Sequence, residues 1–275
     1  MAGIKLGQTS AYSDHYNPEL LEPIPRSLSR AGLVDGQVLP FVGVDIWNGY
    51  ELSWLRPGGL PAVAMARFEV PADSEAIIES KSFKYYLNSF NQTVFESPVA
   101  VQAAMTRDLS AAAGGNVRVV LLPVAGGDAF ADFGGQCVDD LDISLDRYQP
   151  DAGLLAFDSD ERVDDGQLHS HLLKSNCPVT GQPDWASVWV GYSGKRLSAE
   201  GLLRYLVSFR QHQDFHEHCV EKIFTDLMAT GELTSLAVYA RYTRRGGLDI
   251  NPYRATADRG ASLPDALQGL RLARQ

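Results

Sequence analysis

The strongest constraint on this chain is that it repeats itself. Tyr86-Leu87-Asn88-Ser89-Phe90-Asn91-Gln92 and Tyr205-Leu206-Val207-Ser208-Phe209-Arg210-Gln211 agree at five of seven positions. Thr106-Arg107-Asp108-Leu109 and Thr225-Asp226-Leu227 then follow at nearly equal distances. Matches at equivalent places in two blocks predict a tandem architecture, and such a repeat sets the fold before local propensity does.

Within the first block, strand-like runs Phe41–Leu55 and Ala62–Val70 flank Arg56-Pro57-Gly58-Gly59, a strong turn signal. Phe83, Leu87 and Phe90 recur at helical spacing, with Ser80 expected as the N-cap. Ser97-Pro98 opens a second helix that Gly114-Gly115 ends. Runs Val117–Val124 and Cys137–Leu145 complete a β-β-α-α-β-β plan. The second block predicts a strand over Trp185–Tyr192 broken at Gly194, and a helix capped by Ser198. A helix over Phe215–Met228 and strands Leu236–Tyr242 and Leu248–Tyr253 follow. Antiparallel sheets with helices on one face make this an α+β chain. The expected organisation is an irregular arm over 1–40, one half over 41–150 and a second over 151–275. The stretch after Ala255 is expected to be peripheral.

Composition narrows the partners. The chain has 275 residues, 45% of them hydrophobic and 21% charged, enough for a proper core. A net charge of -10 disfavours a phosphate backbone as a direct partner. No charged n-region with an apolar h-region opens the chain, and no apolar run approaches the ~18 residues of a membrane span. The cysteines at 137, 177 and 219 are isolated and lack CxxC spacing, which speaks against a disulfide framework or zinc ribbon and suits a reducing cytoplasm.

Chemistry concentrates in a few places. Ser175-Asn176-Cys177-Pro178-Val179-Thr180-Gly181-Gln182-Pro183-Asp184 carries a thiol and a carboxylate in a segment whose prolines and glycine demand a turn. By residue type alone Cys177 is a packing residue or a nucleophile, and Asp184 a turn residue or its proton partner. Cys219 shares a helical face with Phe215 and Ile223 and reads as core. Glu217, at a helix start, is either favoured there by the helix dipole or a bidentate acceptor for a guanine-like edge. Arg241, Arg244 and Arg245 before Gly246-Gly247 form either a solvated strand end or an anion site, to which Lys81 and Lys84 could add. No GxGxxG motif supports a Rossmann nucleotide site. His169-Ser170-His171 places two imidazoles on one side of a strand, but no fourth metal ligand is evident.

Taken together, Glu79-Ser80-Lys81-Ser82-Phe83-Lys84-Tyr85-Tyr86, Ser175-Asn176-Cys177-Pro178, Gln182-Pro183-Asp184, Phe215-His216-Glu217 and Tyr242-Thr243-Arg244-Arg245-Gly246-Gly247 resemble the NADPH-dependent 7-cyano-7-deazaguanine reductases. These are nitrile reductases of queuosine biosynthesis, and the likeness is to the long form with two fused tunnelling-fold halves. It spans nearly the whole chain. The resemblance implies reduction of a cyano group to an aminomethyl group with two NADPH per turnover and no metal. It also implies Cys177 as nucleophile, forming a thioimidate, and Asp184 as proton donor. By the same resemblance Ile78, Glu79, Ser80, His216 and Glu217 would meet the deazaguanine, and Ser80, Lys81, Arg245 and Gly246 would meet NADPH. A homodimer is implied as well. A cysteine hydrolase using His171 or His216, and a non-catalytic purine- or pterin-binding protein, are the rival readings.

Overall fold

The computed structural model describes residues 13–33, 38–125 and 130–275. They form two compact units: 13–32, 45–125 and 244–250 in the first, and 33, 38–44, 130–243 and 251–275 in the second.

The first unit contains β1 (Pro23–Pro25), α1 (Ser27–Arg30), β2 (Val42–Leu55, from residue 45), β3 (Pro61–Pro71), β4 (Ala76–Ile78), α2 (Ser80–Asn88), α3 (Pro98–Ala113) and β5 (Arg118–Leu122). β3 lies between β2 and β5, antiparallel to β5 with Phe68 opposite Val119. Ala64, Ala66, Phe68 and Val70 are buried at alternate positions, so one face of β3 looks inward. That face packs into a single core with Phe83, Tyr86, Leu87 and Phe90 of the α2 region and Val101, Met105 and Leu109 of α3. The α3 boundaries follow the expected chemistry. Ser97 Oγ accepts from Ala100 N at 3.2 Å, Pro98 stands at the first helical position, and Gly114 closes the helix at φ +62°.

Two expectations fail here. Glu79, not Ser80, caps α2: its two carboxylate oxygens accept from Lys81 N at 3.0 Å and Ser82 N at 2.6 Å, so one side chain satisfies two orphan donors. The arm is also more ordered than its prolines suggest. β1 pairs antiparallel with β4, and buried Arg26 donates to Asp45 at 2.6 Å. The parts of the arm at 1–12 and 34–37 lie outside the described residues.

The second unit contains β6 (Gln136–Cys137), β7 (Phe157–Asn176), β8 (Pro183–Leu197), α4 (Ala199–Ser208), α5 (His216–Ala229), β9 (Leu233–Tyr242) and the 251–255 part of β10 (Leu248–Ala255). The neighbours run β9, β8, β7, β6, and β10 pairs antiparallel with β9. Of the expected strand over Cys137–Leu145 only Cys137 is in a strand, as the second residue of β6. Beyond it Asp139 bonds laterally, accepting from Ser170 Oγ at 2.6 Å and from His171 N at 2.8 Å. β7 was not foreseen, because Asp160–Asp165 interrupts its apolar alternation; register shifts against β8 accommodate that stretch. Gly194 does not end β8. It sits in a bulge at φ +137°, where a Cβ would lie 2.6 Å from Glu232 O. The C-terminal stretch is not peripheral either: Leu263, Leu267 and Leu272 are buried, and Gln275 Nε2 donates to Tyr242 O at 2.7 Å.

The sequence repeat has a physical origin that appears in both units. Tyr86 Oη donates to Asp108 Oδ2 at 2.7 Å, and Tyr205 Oη to Asp226 Oδ2 at 2.6 Å. Ser89 Oγ bonds back to Tyr86 O, and Ser208 Oγ to Tyr205 O. Phe90 meets the Tyr86 ring edge-on at 5.2 Å, and Phe209 meets the Tyr205 ring at 5.3 Å, both at 83°. The repeated letters are therefore the residues that join the first helix of each half to the second through a buried tyrosine–aspartate bond.

Candidate active site

Cys177 occupies the turn between β7 and β8. Its N–H donates to Gln182 O at 2.8 Å, and its carbonyl accepts from Gly181 N at 2.9 Å. Gly181 has φ +67°, a conformation that suits glycine in a turn this tight. The thiol is half-buried. Burial opposes its ionisation, but the Thr180 hydroxyl and the Thr180 and Val179 N–H groups outweigh that, and the Cys177 pKa lies below the ordinary thiol value despite the Asp184 charge. Val179 and Thr180, which the sequence offers only as part of the turn, supply the groups that lower the thiol pKa. Their only signal was position within three residues of the thiol.

Asp184 is the second residue of β8, paired with Ser175, and is 4% exposed. Its Oδ2 lies 3.2 Å from His216 Nε2 at the start of α5, and the His216 ring stacks on Tyr242 at 3.8 Å and 12°. His216 Nδ1 is buried with no hydrogen-bond partner. Glu217, next on α5, is 2% exposed. The connection into α5 is tied to the Cys177 turn: Asn176 N donates to His212 O at 2.8 Å and Asp214 N to Asn176 O at 3.2 Å. Asp214 in turn sits 3.3 Å from His218 Nδ1 and 3.7 Å from His212 Nε2. Burial works against its charge, yet these histidines and the Phe215 N–H hold its carboxyl well below the usual range. Thus Cys177, Asp184, His216 and Glu217 all belong to the second unit. Cys219 is fully buried, and burial drives its thiol pKa upward, as suits a core residue.

The remaining expected site residues lie in the first unit. Ile78 is buried in β4, opposite Pro23 of β1, and Glu79 and Ser80 lead into α2 with Lys81 exposed in its first turn. Lys81 Nζ rests 5.7 Å from the Tyr85 ring, and Arg244 lies 4.9 Å over the Tyr50 ring. Gly246 has φ +56°, and a Cβ there would touch the Lys84 stem at 3.2 Å. Lys84 therefore reaches the Arg244-Arg245-Gly246-Gly247 turn, joining cations from α2 and from the turn. Planar guanidinium forks and an ammonium beside side-chain-free backbone suit phosphate oxygens. Among the described residues no helix is long and apolar enough to cross a membrane.

Residues 12–121 match the family model described as nitrile reductase, 7-cyano-7-deazaguanine-reductase N-term, and residues 183–261 match that described as QueF-like protein. An NADPH-dependent 7-cyano-7-deazaguanine reductase of Saccharophagus degradans is 56% identical, with 100% of each chain covered. Proteins of that name from Teredinibacter turnerae and Dechloromonas aromatica are 59% and 55% identical. They cover 98% and 97% of this chain, and 97% and 94% of their own.

Proposed function

The chain belongs to the family of NADPH-dependent 7-cyano-7-deazaguanine reductases, and on that premise we propose that it reduces the deazaguanine nitrile to the aminomethyl group through a thioimidate on Cys177. The observation that carries this reading is the turn itself, which favours a thiolate through Thr180 and Val179 while setting a buried Asp184–His216 pair on the adjoining strand and helix.

A nitrile carbon is electrophilic but a poor direct acceptor of hydride, so covalent addition splits one hard step into easier ones. Cys177 Sγ adds to the nitrile carbon, and the nitrogen takes a proton as the C–S bond forms. Asp184 delivers that proton, and its contact with His216 Nε2 lets the pair hold the proton the thiol gives up. Collapse of the reduced adduct returns the electron pair to sulfur and leaves an imine, and Thr180 and Val179 stabilise the departing thiolate as they did the attacking one. The Glu217 carboxylate of the second unit would accept parallel N–H bonds from the guanine-like edge beside His216, and the family resemblance assigns Ile78, Glu79 and Ser80 of the first unit to the deazaguanine as well. Selection of a free base by Glu217 also accounts for how a protein of net charge -10 handles a nucleobase without binding nucleic acid.

NADPH supplies hydride, two equivalents taking a nitrile to an amine. The cationic turn fits it: Ser80, Lys81, Arg245 and Gly246 would hold its phosphates, with Lys84 beside Gly246. The imine hydrolyses readily, so exclusion of water from the turn is part of the task. A cytoplasmic location and a homodimer complete the reading.

The test mixes the protein with the nitrile base and NADPH, following NADPH absorbance and the intact mass. The reductase reading expects oxidation of two NADPH per base and, without NADPH, a base adduct that Cys177→Ala abolishes. An adduct with no oxidation would leave a binding or trapping role. Absence of both would refute the assignment.

A further inference from the structure

On the sheet face opposite Asp184, a second group of chemically potent side chains converges. Side chains alternate along β8, so Ser187 and Trp189 point away from the face that carries Asp184, Ala186 and Val188. On that far face His169 and His171 of β7 stand as an i, i+2 pair, with ring centroids 5.4 Å apart. Cys137 of β6 lies beside them, because β6 pairs parallel with β7 in a register that sets Cys137 against His169. The thiol and one nitrogen from each imidazole all lie within 4.8 Å of one another. Asp132 stands beside the two imidazoles as a fourth donor: its Oδ1 is 3.4 Å from His171 Nε2 and 4.0 Å from His169 Nε2.

Three further details make this a prepared donor set. His171 Nδ1 lies 2.8 Å from Ser187 Oγ, which also accepts from Arg274 Nη2 at 3.2 Å. Ser187 fixes the ring orientation so that Nε2 faces Asp132, and a ring N–H on Nδ1 donated to Ser187 would leave the Nε2 lone pair for a metal. His169 Nδ1 is buried with no hydrogen-bond partner, so the polar contact of this ring runs through Nε2, 4.0 Å from Asp132 Oδ1. Finally, Asp139 grips Ser170 and His171 N, so Cys137 is held at the edge of β7 from the residues that flank it.

We propose that Cys137, His169, His171 and Asp132 form a tetrahedral Zn2+ site that clips the 130–139 segment onto the exposed edge of β7. A thiolate, two imidazoles and one carboxylate are the borderline-soft donors that select zinc over magnesium or calcium. Zn–N and Zn–S bonds of about 2.0–2.3 Å require the donors to draw inward by roughly 1 Å. Cys137 and Asp132 are exposed and can make that movement, while His169 is held in the interior. The site is structural. Cys137 and Asp132 come from a segment that meets β7 through the short β6 pairing, the Val138 N–H to His169 O at 3.0 Å and the Asp139 carboxylate, and the metal adds a tie through side chains at the sheet edge.

The test uses the full chain carrying Cys177→Ala, so that Cys137 is the accessible thiol, stripped of metal and titrated with Zn2+ and with Co2+. We expect one ion per chain, a thiolate-to-cobalt charge-transfer band with tetrahedral visible bands, and a higher Tm with zinc. Cys137→Ser should abolish the charge-transfer band, and His171→Ala should lower affinity at least a hundredfold. Ser187→Ala should cost about 10–100-fold, the usual loss when a ligand's orienting partner is removed. In the chain with Cys177 intact, Cys137→Ser should leave nitrile reduction unchanged. Should His171→Ala lose its fold, Asp132→Asn offers an exposed replacement and should shift the cobalt spectrum. Cobalt bound without a thiolate band, or zinc affinity unaltered in both Cys137→Ser and Asp132→Asn, would overturn the proposal.

Discussion

Removal of the Glu221 carboxylate should loosen the helix that carries His216 and Glu217. Glu221 lies one helical turn after Glu217 on α5, and its Oε1 accepts from Arg254 Nε at 3.0 Å and Nη2 at 2.7 Å. Both side chains are 0% exposed. The Arg254 guanidinium lies 5.5 Å from the Phe41 ring, and its stem passes Gly43, where a Cβ would come within 3.1 Å of Arg254 Cδ. Breaking a buried pair from one side typically costs about 3–5 kcal/mol, because the surviving charge is left in a poor solvent. At about 1.4 kcal/mol per factor of ten, that is roughly a 10²–10³-fold or greater rise in the open population. Cys219 reports it directly, being fully buried two residues from Glu221. With Cys137 and Cys177 replaced by serine, Cys219 is the sole remaining thiol. Its reaction with a disulfide reagent, under conditions where reclosing outpaces the chemistry, measures opening of α5. Glu221→Ala should accelerate this reaction by that factor, and Glu221→Met with Arg254→Met should restore most of the protection. Acceleration below about tenfold in Glu221→Ala would refute the reasoning, as would a double variant no better than the single.

Thr180→Val should move the Cys177 pKa upward, so alkylation of the Cys177 peptide, followed by mass spectrometry, should shift to higher pH; an unshifted profile would remove Thr180 from the thiolate site. Tyr205→Phe should cost about 1.5–3 kcal/mol, the range for a hydrogen bond to a charged group, in urea unfolding. Tyr86→Phe should cost less, because Asp108 keeps the Tyr16 hydroxyl at 2.6 Å, and the reverse order would contradict this account. Asp214 is held below its ordinary pKa, so the stability it contributes is present above the unfolded value of about 3.9 and is lost as pH falls toward the folded value. Asp214→Asn should therefore flatten the acid limb of a stability–pH curve, and superimposable limbs would exclude the linkage. Gly246→Val forces a β-branched residue into φ +56° against Lys84 and should raise the NADPH KM while sparing formation of the Cys177 adduct; equal damage to both would argue that the turn serves more than the cofactor.

Much of the fold was legible because several signals agree locally. The α3 helix announces itself through Ser97-Pro98 and Gly114, and α4 through Ser198, since caps and terminators act within a few residues of the chain. Strand edges were harder to read. The polar run Asp160–Asp165 conceals β7, which is held by pairing with β8 and not by its own pattern. Cys137–Leu145 has the opposite fate: Asp139 found partners on β7, and of the strand expected there only Cys137 remains in one. The cap of α2 also shifted, because a glutamate reaching two amides prevails over a serine beside it.

The sequence by itself determined the duplication, the α+β class, the turn that carries Cys177 and the cationic turn at Arg244–Gly247, because each depends on residues that are neighbours in the chain. The repeat even encoded its own cause, since Tyr86 and Asp108, like Tyr205 and Asp226, must be present together to make one buried bond. Only the tertiary structure decided which groups face each other across sequence. It set Asp184 against His216 and His216 against Tyr242, and it brought Cys137 and Asp132 to the His169–His171 pair, for which the sequence offered no further ligand. Strand pairing and helix docking create those neighbours over separations of about twenty-five residues or more, where periodicity and capping carry no information.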